Sequence, residues 1–213
     1  MKKTSKALLL GLCAVLLVAA SILGTMAYLT DNAKVENSFT LGKVEITLTE
    51  AKVDENGNAI NNVPRVSENK YKLVPGLTYD KDPTIYVKEN SEDSYLFVKV
   101  ADGIKTLENT DNTVEDQMVG SRNWKLVEET NNGNVYVYTG GENDPKPVTA
   151  NDGKDGIKVF EHFTVRNTAT KQDLDNNKNS KIIITAYAVQ ANGWDGTGTD
   201  KAAYIWNNAG FTK

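Results

Sequence analysis

The sequence predicts an all-β protein: a jelly-roll-like β-sandwich of two sheets with long loops, preceded by an N-terminal signal-peptide helix. Apolar residues recur at every second position in eight short runs, which is the period of a strand with one buried face. Clusters of glycine, asparagine, aspartate and proline separate these runs. Eight strands of this length suit a two-sheet sandwich of the jelly-roll type.

The first 27 residues have the three parts of a secretory signal peptide. A start with three lysines is followed by an apolar run of 17 residues at 7–23, and Ala27 is the small residue that a signal peptidase needs before its cut. A permanent membrane anchor needs about 20 apolar residues, so we expect cleavage between Ala27 and Tyr28. Thr25 is larger than the residue usual at its position, which leaves open a specialised peptidase or a shifted cut.

After cleavage the chain would be acidic and would contain no cysteine. It loses three lysines and no acidic residue, so its formal net charge shifts from −4 to −7. We therefore expect no nucleic-acid partner, and contact with a membrane only through the uncleaved signal segment. The single cysteine, Cys13, lies in that segment, so packing rather than a disulfide must stabilise the mature protein. Residues 38–213 are enough for one domain, the predicted sandwich.

The alternating runs give the strands in chain order. The predicted strands are 38–52, 70–74, 84–89, 94–101, 123–129, 134–139, 157–165 and 181–191. The runs at 94–101 and 181–191 are apolar on both faces, so we expect both strands to be central. Between the fifth and sixth strands, Asn132-Gly133 predicts a type I′ hairpin turn, because Asn-Gly readily adopts positive φ.

The first long strand contains a change of facing. Phe39 and Leu41 are apolar at odd positions, whereas Val44 and Ile46 are apolar at even positions. An extra residue in a strand inverts the facing of everything after it, so the sequence predicts a bulge or bend at Gly42, where the change occurs.

Four polar stretches, 54–69, 102–122, 140–156 and 167–180, are predicted to be surface loops. Loops of this length are often functional, although solvated decoration is at least as good an interpretation. At the C-terminal end, apolar residues within 201–208 follow helical spacing, so we expect a short helix that caps the sandwich.

The residues needed for catalysis are mostly missing, so we expect no enzymatic activity. The mature chain has no cysteine and one histidine, His162, which cannot complete an ordinary hydrolytic triad or zinc site. The acidic turns at 54–58 and 152–156 lack the bidentate glutamate of a calcium loop, so we expect no cofactor beyond weak calcium binding. Trp194 and Trp206 suit a sugar-binding face, but core aromatics are the commoner explanation.

The segment 28–37 predicts how the protein assembles. Leu29, Ala33 and Val35 alternate with polar residues, so an extended strand would have one apolar side and one polar side. A chain end is loose unless something holds it. In a neighbouring subunit this strand would complete a sheet, by donor-strand complementation, and head-to-tail repetition would produce a filament. Alternatively, the segment folds onto its own domain or stays disordered.

The sequence also resembles the TasA and camelysin family of secreted Gram-positive proteins, which are exported through a SipW-type signal peptidase. The resemblance lies in GTMAYLTD at 24–31, NSFTLGKVEI at 37–46, the Pro-Gly turn LVPG at 73–76 and AYAVQA at 186–191. It implies a jelly-roll subunit of extracellular or biofilm matrix fibres on the cell surface, joined by N-terminal donor strands to copies of itself and to related subunits. Camelysin has been described as a metallopeptidase, but this sequence lacks a set of residues that could support that activity, so we do not expect it here.

The sequence therefore favours a secreted structural subunit that assembles head-to-tail after its signal peptide is removed. The alternative is a monomeric cell-surface adhesin or carbohydrate-binding module that uses the long loops and exposed aromatic side chains.

Overall fold

The computed structural model of the chain describes residues 12–14, 16–17, 43–194 and 200–211. The chain divides into two units, 1–40 and 41–213. In the first unit the described residues are helical. No described helix is long and apolar enough to span a bilayer.

The second unit is mostly β, and nine strands lie in its described part. These are β1 (Ile46–Thr49), β2 (Thr78–Asp80), β3 (Thr84–Val87), β4 (Ser94–Asp102), β5 (Trp124–Glu128), β6 (Asn134–Tyr138), β7 (Ile157–Lys158), β8 (His162–Thr164) and β9 (Ile182–Gln190). They form three antiparallel sheets with the orders β1-β3-β7, β2-β8 and β5-β6-β4-β9. The all-β prediction is confirmed, and the arrangement is consistent with a sandwich.

One main core joins the four-stranded sheet to the two smaller sheets. The four-stranded sheet contributes the even-numbered β4 residues Leu96 and Val98, both fully buried. Ile85 of β3 and Phe163 of β8 come from the smaller sheets and belong to the same cluster. Since successive side chains of a strand point to opposite faces, the even positions of β4 account for only one of its two apolar faces.

The other face of β4 is covered by a helix. Tyr95 and Phe97 pack in a second cluster with Ile205 and Trp206 of the helix Lys201–Asn208. Trp206 is 2% exposed, and its indole Nε1 donates a 2.6 Å hydrogen bond to Glu128 Oε2. This confirms the predicted C-terminal helix and explains why β4 is apolar on both faces.

Within the described sheets, the prediction that both long apolar strands are central is right for β4 and wrong for β9. β4 lies between β6 and β9, whereas β9 ends the four-stranded sheet and has β4 as its one described partner. Its even-numbered residues face the main core, while Tyr187 and Val189 pack on the second cluster. Apolar residues on both faces of a strand thus indicate that other parts of the protein pack on both faces. They do not indicate whether another strand pairs with each of its edges.

The predicted strand at 70–74 is wrong, because this segment forms no β-ladder. Side-chain hydrogen bonds hold it instead: Tyr79 Oη accepts from the Val74 amide at 2.7 Å and donates to the Lys72 carbonyl at 2.8 Å. The Pro75-Gly76 turn that follows is confirmed. Leu77 N–H donates to Val74 O at 3.2 Å, and Gly76 has φ +78°, a value that favours glycine.

Two other predicted strands are shorter than expected. The strand at 157–165 is divided into β7 and β8, because Val159 and Phe160 leave the ladder and are fully buried in the main core. The predicted strand at 38–52 is represented in the described residues by β1 and by an isolated bridge of Glu50 to Val66. The predicted bulge at Gly42 lies outside the described residues.

Three of the four predicted loops contain helices that the sequence prediction missed. They are α1 (Val114–Gly120), α2 (Ala150–Gly153) and α3 (Lys171–Asn176), while α4 is the C-terminal helix Lys201–Asn208. Each of the three begins after a threonine whose hydroxyl accepts a hydrogen bond from the amide of an aspartate three residues later, which is the N-terminal capping pattern.

The stretch 102–122 is also not a solvated surface loop. Leu107, in a 3-10 helical turn, and Met118, in α1, are both fully buried in the main core. The buried apolar residues of this stretch lie on short helices, so they are not spaced two residues apart. A search for alternating residues therefore did not predict that the stretch is buried.

The hairpin between β5 and β6 is confirmed, but its predicted turn type is wrong. A type I′ turn needs positive φ at both central residues, and of this turn only Gly133 has it, at +115°. The turn closes one residue earlier, since Gly133 N–H donates to Thr130 O at 3.3 Å. The Thr130 hydroxyl reinforces it by donating to Gly133 O at 2.6 Å and accepting from the Asn132 amide.

Candidate functional site

The residues predicted for cleavage and assembly lie outside the described part of the chain. These are Ala27 and Tyr28 at the expected cut, and Leu29, Ala33 and Val35 of the expected donor strand. The structure describes the strand edges of the second unit, and these differ in how well they are protected against pairing.

The outer edge of β9 is the longest strand edge without a described partner strand, although the Trp194 indole donates to the Gln190 carbonyl at its end. No described strand pairs with this edge, so a row of backbone N–H and C=O groups faces outward. β9 is nine residues long and reads IIITAYAVQ, without proline or charge. Natural proteins usually protect such edges with short strands, charged side chains, proline or bulges.

The other edge strands carry that protection. At the opposite end of the same sheet, β5 has Lys125 and Glu128 and a bulge between Leu126 and Glu128. The edge strands of the two smaller sheets have only two to four residues each. β9 is therefore the one long, unprotected edge in the described residues.

The first half of β9 is also exposed on one face. Helix α4 covers the odd-numbered residues only near Tyr187 and Val189. Ile183 is 54% exposed, and Thr185 is exposed as well. Their partners across the ladder are Ala101 and Lys99 of β4. Ile183 is therefore the exposed apolar side chain on this face, and the polar residues Thr185 and Lys99 lie beside it.

A second candidate site is a cleft of about 500 Å³, which we call the carboxylate cleft. It lies between the end of β4, the 3-10 turn Lys105–Leu107, helix α1 and the β5–β6 turn. Its acidic residues are Asp102, Glu108 and Glu115, and its basic residue is Lys105.

The carboxylate of Glu108 is the least satisfied polar group of this cleft. Glu108 is 4% exposed, its Oε2 accepts a 3.3 Å hydrogen bond from the Val114 amide, and its Oε1 has no hydrogen-bond partner. Asp102 lies beside it and accepts from the Ile104 amide at 3.0 Å. A buried acceptor without a donor is costly, so this oxygen needs a proton or a ligand.

Electrostatics indicates that the pair holds a proton at neutral pH. Burial, followed by the negative charge of Asp102, raises the pKa of Glu108 to about 8. Burial also raises the pKa of Asp102. Two ionised carboxylates cannot hydrogen-bond each other, whereas one shared proton supplies the missing donor.

The rim of the cleft is already neutralised. Lys105 Nζ lies 3.0 Å from Glu115 Oε2, and this contact raises the pKa of Lys105. Tyr136 lines the wall, and burial raises its pKa to about 12. The uncompensated negative charge of the cleft therefore belongs to Asp102 and Glu108.

The acidic turn at 54–58 is a self-contained turn. Asp54 Oδ1 accepts hydrogen bonds from the amides of Asn56 and Asn58 at 2.8 and 2.9 Å, and the Asn58 amide contributes most to lowering the pKa of Asp54. Among the described residues, no three histidine, cysteine or acidic side chains are grouped so as to hold a metal ion.

The single histidine is bound to a neighbouring side chain. His162 Nε2 lies 3.0 Å from Asn112 Nδ2, at the end of β8 that pairs with Asp80. The tryptophans have structural positions, as the commoner explanation predicted. Trp124 and Trp206 are 1% and 2% exposed, and Trp194 donates from its indole to the Gln190 carbonyl.

The sequence interpretation missed the carboxylate cleft. The Thr113-x-x-Asp116 capping pattern would have located α1, one of its walls. No pattern links Asp102 to Glu108, because the chain between them must fold through a 3-10 turn before the two carboxylates meet.

Comparisons with known proteins provide no family for the chain: no family model, no curated protein and no solved structure matches it. Function must therefore be inferred from its residues and from the geometry described above.

Proposed function

We propose that the protein is a secreted structural subunit of extracellular matrix fibres, with a jelly-roll fold, exported from a Gram-positive cell by a SipW-type signal peptidase. Assembly runs head-to-tail, with residues 28–37 of one copy complementing the next. The outer edge of β9 carries this proposal, because it is a long strand edge without the protection that prevents association.

The donor and the acceptor match in length. β9 has nine residues and the donor segment has ten, and at about 3.3 Å per residue each spans roughly 30 Å. Strand addition of this kind gains affinity from main-chain hydrogen bonds and specificity from alternate side chains.

The chemistry of the two strands also matches. The donor's apolar side chains, Leu29, Ala33 and Val35, alternate with polar ones, and β9 offers a partly buried face toward the main core and Ile183 on its other face. Each buried leucine or valine contributes about 1.5–3 kcal/mol. A contact between the front of one copy and the edge of another does not close on itself, so its repetition gives a filament.

Electron microscopy of purified residues 28–213 tests this function. We expect fibres or a ladder of oligomers from this form, and monomers when residues 28–37 are deleted, because the deletion removes the donor and leaves residues 43–211 intact. A deleted form that polymerises normally would overturn the donor-strand mechanism.

The same measurement separates the alternative functions. If the segment folds onto its own β9 edge, both forms remain monomeric. A strictly monomeric mature protein that binds glycans would indicate the surface adhesin or carbohydrate-binding module instead.

A further inference from the structure

We propose that the carboxylate cleft binds a primary alkylammonium group, such as a lysine side chain or a free aliphatic diamine, with Glu108 and Asp102 receiving the ammonium. This site is separate from strand addition at β9 and does not depend on it.

The buried acceptor is the first support. Glu108 is 4% exposed, and apart from the proton that it shares with Asp102 its Oε1 has no hydrogen-bond partner, although the residue lines the cleft. In the described part of the chain, no ion pair reaches either Glu108 or Asp102. The nearby Lys105 is paired with Glu115 at the rim instead, 3.0 Å away.

The shape and lining of the cleft suit an aliphatic amine. Val100, Val114 and Met118 line it and are 6%, 2% and 0% exposed, which supplies an apolar wall for a chain of methylene groups. The volume of about 500 Å³ is far more than a single ion occupies and lies within the range of small-molecule sites.

An ammonium group fits the acceptors better than a metal ion does. Calcium requires six to eight oxygen ligands, and the described residues contain no group of three acidic or histidine side chains arranged around a common point. A primary ammonium has only three donors, which two carboxylates can satisfy, and charge-assisted hydrogen bonds of this kind are among the stronger ones.

Binding of the ammonium group displaces the proton that Glu108 and Asp102 share. Without ligand, the pair retains the proton that its raised pKa implies. The ammonium binds the ionised pair, and that proton leaves to solvent, so affinity rises between pH 6 and pH 8.5 while an alkylamine, with a pKa of about 10.4, stays charged. The charged and titratable groups that face Glu108 are Asp102, Lys105, Glu115 and Tyr136.

Titration calorimetry on the purified full-length chain tests this site. The probes are 1,5-diaminopentane, Nα-acetyl-lysine amide, 1-pentanol as a neutral control and calcium chloride. We expect saturable binding of at least one amine, no binding of pentanol, affinity at least fivefold higher at pH 8.5 than at pH 6, and proton release in buffers of different ionisation enthalpy. The stronger amine distinguishes a free diamine from a lysine side chain as the source.

Two variants assign the binding to the cleft. Glu108→Gln keeps an acceptor for the Val114 amide but removes the charge, and we expect at least a tenfold loss of amine affinity. Glu89→Gln makes the same change at an exposed position and should leave affinity unchanged. Equal binding by wild type and Glu108→Gln, binding of calcium alone, or no amine binding at either pH would each overturn the proposal. A thermal melt confirms that Glu108→Gln is folded.

Discussion

At the scale of single residues, Glu108 shows how burial controls a carboxylate. Its Oε1 lies out of water without a donor, and Asp102 adds a like charge that raises its pKa further, to about 8. The folded state therefore holds a proton that the unfolded chain releases near its ordinary value of 4.5. The contribution of Glu108 to the free energy of unfolding is therefore full below pH 4.5, falls as the pH rises, and is lost above about pH 8.

Replacing Glu108 with glutamine should remove this pH dependence. The amide is neutral at every pH and can donate to Asp102, so Glu108→Gln should stabilise the protein at pH 8, by on the order of 2 kcal/mol, and should have little effect at pH 4.5. Urea denaturation followed by tryptophan fluorescence at both pH values measures the difference. A change of equal size at both pH values would show that Glu108 is not protonated in the folded state.

At the scale of elements, the two edge strands of the four-stranded sheet differ in their protection. β5 carries charges and a bulge, whereas β9 has neither. The core covers one β9 face, and α4 covers the other only near Tyr187 and Val189. Burial therefore explains most of its apolar residues, but it does not explain Ile183, which is 54% exposed; the proposed strand addition would cover it.

A lysine placed on the β9 edge should block assembly. Ile183 is 54% exposed, so Ile183→Lys should cost little stability, while its charge opposes burial against an incoming strand. The matched control is Val119→Lys in α1, because Val119 is 52% exposed and lies away from the edge. We expect fibres from the control and at least a tenfold loss of fibre mass for Ile183→Lys by sedimentation. Equal loss in both variants would point to a general charge effect.

At the scale of the whole molecule, the proposed function depends on when the donor strand becomes free. While Ala27 joins Tyr28 to the apolar segment at 7–23, the donor cannot thread into a neighbour. Removal of that segment would expose a new chain end and change the net charge from −4 to −7, so in the proposed function cleavage is the switch for assembly.

Blocking cleavage should therefore prevent fibre formation. Ala27→Gln replaces the small residue that a signal peptidase requires. We expect the uncleaved chain to stay with the cell and to form no fibres, whereas Ala59→Gln, the same change at an exposed position of the second unit, should be processed normally and form fibres. Mass spectrometry of the N-terminus and microscopy of the medium measure the two steps. Fibres built from the uncleaved chain would contradict the switch.

The sequence by itself determined the β class, the positions of the main strands and the C-terminal helix. Alternation with period two and helical spacing are local patterns, and they mark which face of a segment is buried. The same patterns missed the short helices of 102–122, 140–156 and 167–180, where one or two turns are too few to show a period and the threonine caps were the only signal.

Only the tertiary structure decided which strand lies at the end of the described four-stranded sheet. It also decided that Asp102 and Glu108 lie side by side. β4 and β9 look alike in sequence, yet among the described strands β9 has a neighbour on one side and β4 on both, because lateral pairing depends on partners distant in the chain. Asp102 and Glu108 become a proton-sharing pair only when burial removes water from around both groups. The pKa of a buried carboxyl group depends on burial and on nearby charges, and both are present only in the folded protein.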